Sequence, residues 1–73
     1  MSRVVAIGEK ELVDGYGLAG VQVLPAADAA SVRRAYAEAQ GDAGLLILTP
    51  AAEAALAARL ADEPALVWVV IPA

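Results

Sequence analysis

The sequence predicts a small α/β domain built on a parallel sheet. Three observations lead there. Four short runs of branched aliphatic residues alternate with longer, mostly alanine-rich stretches. The runs are apolar throughout, as expected of strands covered on both faces. The stretches between them place apolar residues at helical spacing and carry helix start and stop signals. The resulting order β-α-β-α-β-α-β, with right-handed crossovers, favours a flavodoxin/receiver-like three-layer sandwich. Its four-stranded parallel sheet has strand order 2-1-3-4 and is packed by three helices. At 73 residues the chain is one domain, 1–73.

Each element has its own signals. Val4-Val5-Ala6-Ile7 is the first strand and stops at Gly8. Glu9 to Leu18 reads as a helix with Leu12, Tyr16 and Ala19 near helical spacing. Gly15 and Gly17 weaken it, each costing about 1 kcal/mol relative to alanine. Gly20 supplies its stop. Val21-Gln22-Val23-Leu24 is the second strand, ended by Pro25. Asp28 caps a second helix that runs to about Gln40 and stops at Gly41. Its buried stripe is expected at Ala29, Val32, Tyr36 and Ala39, with Arg33, Arg34 and Glu38 in water. Leu45-Leu46-Ile47-Leu48 is the third strand. Thr49-Pro50 opens the third helix, threonine as cap and proline at the first helical position. Ala52, Leu56 and Leu60 form its stripe, and Asp62-Glu63-Pro64 ends it. Leu66 to Ile71 is the fourth strand.

This topology has a consequence for the surface. A full doubly wound domain places a further helix after the last strand, beside the first helix, and no such helix follows the fourth strand here. Strands three and four are therefore expected to keep one apolar face uncovered. Depending on register, that face shows Leu46, Leu48, Leu66, Trp68 and Val70, or their alternates. An exposed patch of this kind marks a contact surface.

Composition narrows the function. There is no cysteine, so neither a disulfide nor a thiolate metal site is available, and no histidine, the commonest general base and metal ligand. Nine acidic against five basic residues give a net charge of −4, which disfavours nucleic acid. Two tyrosines, one tryptophan and no phenylalanine provide no stacking platform for bases. The four apolar residues after Arg3 are too few for a signal-peptide core. These features suggest a cytoplasmic, non-enzymatic protein that acts by contact, with no cofactor.

The motifs support that view. Gly15-Tyr16-Gly17-Leu18-Ala19-Gly20 matches G-x-G-x-x-G by letter. A dinucleotide site needs this motif after a strand and at the start of a helix. Here it closes a helix and precedes a strand, so it reads as helix termination. Glu9, Glu11 and Asp14 could supply a magnesium site, but they also suit a helix start, where carboxylates complement the dipole. A phospho-accepting receiver would carry an aspartate where Thr49 stands and a late lysine, whereas the single lysine is Lys10. Ser31 and Thr49 have no histidine to activate them. Trp68 is either core or an anchor at a partner interface.

Val5-Ala6-Ile7-Gly8, an acidic helix start and Gly15-Tyr16-Gly17-Leu18-Ala19-Gly20-Val21 together resemble the opening of the F subunit of V-type and A-type rotary ATPases. That family reads V-I-G-D, a short acidic helix, then G-F-R-L-A-G. Tyr16 stands for the aromatic, and Leu18-Ala19-Gly20 matches directly. Leu45 to Thr49 and Val69-Val70-Ile71-Pro72 resemble its third and fourth strands. The resemblance implies a receiver-like, non-catalytic central-stalk protein of a proton- or sodium-translocating complex. It implies binding to the coiled-coil D subunit beneath the catalytic head, peripheral to the membrane without insertion. The family's arginine is replaced by Gly17, and its C-terminal regulatory helix has no counterpart in these residues. What remains implied is stalk binding through the globular part. Partner-contact candidates are Tyr16, Leu18, Leu46, Leu48, Trp68 and Val70. The alternative is a degenerate receiver-like module that forms a homodimer through its uncovered sheet face. A third class, a small phosphate- or metal-dependent enzyme, rests on the acidic cluster alone.

Overall fold

A computed structural model describes residues 3–41 and 43–72. The strands are β1 (Arg3–Gly8), β2 (Gln22–Pro25), β3 (Ala43–Leu48) and β4 (Trp68–Val70). The helices are α1 (Lys10–Val13), α2 (Ala29–Ala39) and α3 (Pro50–Ala61). All strand pairs are parallel and the sheet order is β2-β1-β3-β4, the order expected from the sequence.

The two long helices begin where their caps dictate. The Asp28 side chain accepts the Ser31 backbone N–H at 2.7 Å. Thr49 accepts the Ala52 N–H at 3.3 Å, with Pro50 following. Such a cap contributes about 1 kcal/mol by satisfying an N–H that the helix itself leaves unpaired. Both helices pack on one side of the sheet. Val32, Ala35, Tyr36 and Ala39 of α2 and Ala52, Leu56 and Leu60 of α3 close over Val5, Ile7, Leu46 and Leu48. Burying each leucine contributes roughly 1.5–3 kcal/mol. Ala35 joins the α2 stripe, while Ala29, in the first turn, is exposed.

The first helical segment departs from expectation. Only Lys10–Val13 is α-helix, and Asp14–Ala19 continues as a 3₁₀ segment. Gly15 and Gly17 lower the local α-helix propensity, and the tighter winding takes over. Val13, not Leu12, is the buried residue. Gly20 sits at φ +84°, where a side chain would be strained, and its N–H bonds to the Gly17 carbonyl at 3.3 Å. Beneath this segment lies a second, smaller core of Ala6, Val13 and Ile47, packed by Tyr16, Val21, Val23 and Ile71. β4 is also shorter than the Leu66–Ile71 run, although Val67 and Ile71 still bond to β3 through Leu46 and Leu48. No described helix is long and apolar enough to cross a membrane.

Candidate interaction surface

Strand register decides which residues reach the surface. Ala6 pairs with both Val23 and Ile47, and Ile47 pairs with Val69, so these four form one row on the α1 side of the sheet. One step towards the strand starts, Val4 pairs with Leu45. Strand alternation adds Val67 to that row. α1 and the 3₁₀ segment lie against β1 and β2. The β3–β4 end of this face therefore stays open. Val67 is 57 % and Val69 47 % exposed, and Leu45 is half-buried beside them.

The expected uncovered face is thus present, and it carries the alternates of the residues first named. Leu46 and Leu48 point the other way and are enclosed beneath α2 and α3. Folded as it is, the protein cannot offer either to a partner, so both are corrected to core residues. Trp68 shares their side of the sheet. It is half-buried, packs on that core and lines a shallow cleft along α3 with Glu53, Ala57 and Leu60. Val70 pairs with Leu48 and is partly exposed at the sheet edge. The residues missed were Val4, Leu45, Val67 and Val69. Alternation alone could not choose between the two sets, because every position of these strands is apolar.

The glycine-rich segment supplies a second apolar point. Tyr16 lies half-buried on the smaller core, whereas Leu18 at the tip is 95 % exposed. A leucine held in water so completely has no role in holding this fold. The two sheet edges also differ. At the β2 edge, Arg3 donates to the Gln22 side chain at 2.8 Å and Pro25 ends the strand. From Ala65 to Pro72, around the β4 edge, there is no charged residue. Charges and prolines are the usual guards against strand addition.

The crevice beyond the carboxyl ends of β1 and β3 is where doubly wound folds place ligands. Here it is closed by its own side chains. The Thr49 hydroxyl donates to Glu9 Oε1 at 2.7 Å, and the Thr49 N–H bonds to the Ile7 carbonyl at 3.3 Å. The Thr49 hydroxyl, and secondarily the Glu9 backbone N–H, hold the Glu9 carboxyl below its ordinary range. Gly8 is needed for this closure, because a Cβ there would fall 2.2 Å from Thr49 Cγ2. Nearby, Lys10 pairs with Asp14, and that carboxylate raises the lysine pKa. Glu9 and Asp14 therefore have separate partners. Among the described residues no three acidic or other metal-ligating side chains cluster.

No protein-family model matches this chain, and no curated protein matches its sequence significantly.

Proposed function

We propose that this protein is a non-catalytic component of the central stalk of a V/A-type rotary ATPase, equivalent to the F subunit and seated on a coiled-coil stalk protein. The observation that carries the reading is the resemblance of the opening segment, with Leu18 of its Leu-Ala-Gly stretch standing almost wholly in water. An apolar side chain presented in this way suits insertion between helices of a partner. Thr49 in place of a phospho-accepting aspartate fits a receiver-like fold used for contact. The uncovered valines give the partner a second, flatter area.

The test is light scattering after size exclusion, on the chain alone and mixed with the coiled-coil stalk protein of the same organism. A 1:1 complex is expected. Leu18→Glu should abolish it while shifting stability by less than about 0.5 kcal/mol, as for other surface changes. Absence of any complex refutes the stalk role. A second reading, a self-associating module, is favoured by the uncharged β4 edge and the exposed Val67 and Val69. A stable homodimer that ignores the stalk protein would select it.

A further inference from the structure

The end of the molecule opposite the Gly8–Thr49 crevice holds a feature that neither reading uses. α2 ends at Ala39, and Gly41, at φ +93°, turns the chain back into β3. On the other side, α3 ends and a turn follows, in which the Leu66 N–H bonds to the Glu63 carbonyl at 3.0 Å. Between them lies a cavity of about 320 Å³. That volume is at the lower end of the range for small-molecule sites, roughly 300–1,000 Å³. Its apolar wall includes Ala39, Leu46 and Leu66, and its polar groups are Tyr36, Gln40 and Glu63.

Tyr36 is the informative residue. It is 2 % exposed and its ring belongs to the main core. Its hydroxyl makes no hydrogen bond among the described residues, and because no buried side-chain oxygen there lacks a partner, the hydroxyl itself reaches solvent at the cavity. Tyr36, Gln40 and Glu63 also line an adjoining shallow cleft with Arg59 and Asp62. Gln40 caps the end of α2, its backbone N–H on the Tyr36 carbonyl, and donates its Nε2 to Glu63 Oε1 at 3.0 Å. That bond orients the glutamine, leaving its amide oxygen and the second glutamate oxygen without partners among the described residues. Three acceptor groups therefore line one cavity: the Glu63 carboxylate, the Gln40 amide and the Tyr36 hydroxyl.

A primary ammonium has three N–H donors and no acceptor, which is the complement of that set. Among the described residues, Glu63 is the one charged group on the cavity wall. The adjoining cleft adds Asp62 against Arg59, so acidic groups outnumber basic ones around the opening. We propose that this cavity is a binding site for a small primary amine, its short apolar body on Ala43 and Leu66 and its ammonium on Glu63, Gln40 and Tyr36. The site is independent of the stalk reading and stands or falls separately from it.

Amide NMR shifts of the whole chain, titrated with n-butylammonium chloride, test the proposal. n-Butanol and sodium chloride at matched concentrations are the controls. Saturable shifts at Gly41, Ala43 and Leu66 are expected, with an affinity on the order of millimolar. Butanol should bind roughly tenfold more weakly, since it cannot form the charge-assisted bond. Glu63→Gln should weaken binding by a similar roughly tenfold factor. Tyr36→Phe, which keeps the ring in the core, should weaken it less. Spectral dispersion shows whether each variant is folded. Shifts that never saturate, butanol binding as well as the amine, or a folded Glu63→Gln variant binding unchanged would each overturn the site.

Discussion

Replacing Gly8 with alanine tests the packing that closes the β1–β3 crevice. The new methyl group would lie 2.2 Å from Thr49 Cγ2, 2.5 Å from Oγ1 and 2.9 Å from Cβ. Thr49 is wholly buried and cannot swing into water. It must move as a unit, giving up its bond to Glu9 and its cap on Ala52. Overpacking costs about 1–3 kcal/mol and loss of a cap about 1. The variant should therefore lose about 2–4 kcal/mol, from a total of about 4–11 for a chain of this length. Urea unfolding followed by circular dichroism and Trp68 fluorescence measures it. With an m-value near 1–1.5 kcal/mol/M, the midpoint should fall by roughly 1.3–4 M. The Gly8→Ala/Thr49→Ala pair removes the obstructing atoms beyond Cβ and should recover most of the steric part. A midpoint change under about 0.5 M, or a double variant no more stable than Gly8→Ala, would refute the reasoning.

Other outcomes follow from the same structure. Trp68→Ala should cost about 2–3 kcal/mol, less than a fully enclosed aromatic, because only part of its surface is withdrawn from water; thermal unfolding reads this directly. Val67→Lys with Val69→Lys should leave stability within about 1 kcal/mol, yet reduce any self-association seen by light scattering at high concentration. Acid sensitivity should centre on Glu9 and Asp28. Their folded pKa values lie below the ordinary 4.5 and 3.8, held down first by the Thr49 hydroxyl and by the Ser31 backbone N–H respectively. Their stabilisation is complete above those ordinary values and is lost as pH falls through the lower, folded ones. Thr49→Val should flatten the Glu9 part of that decline, measured as urea midpoints between pH 7 and pH 3.

The legible parts of the sequence were those in which local chemistry and global packing agree. Asp28 and Thr49-Pro50 mark helix starts through side-chain oxygens and a fixed φ, and the stripes behind them fall at helical spacing. α2 and α3 followed, and the 2-1-3-4 sheet order came from the handedness of the crossovers. The segment from Asp14 to Ala19 was harder to read. Its apolar residues sit near helical spacing, but two glycines shift the balance towards 3₁₀ winding and turn Leu18 outward. The side of the sheet facing water was not legible either. β3 and β4 are apolar at every position, so the pattern has no polar phase, and only the paired register puts Leu46 and Leu48 inside. The Glu9–Thr49 bond spans 40 residues, a distance at which no local pattern announces a contact. Tyr36 read as core from its spacing, and its ring is core. What surrounds its hydroxyl depends on which groups the chain reversals at Gly41 and Glu63 bring beside it.

The two ends of the described chain carry unequal weight. The earliest strand is flanked on both sides, by β2 and by β3, whereas the latest occupies a rim and touches one neighbour. Nothing made on the ribosome before β3 emerges can finish the interior, because Val5 and Ile7 need Leu46 and Leu48 beside them. Losing a few residues of β1 would remove the piece on which both neighbouring strands lean. An equal loss from β4 would trim an edge. Disruption of β4 should therefore be better tolerated than disruption of β1, whose two neighbours both depend on it.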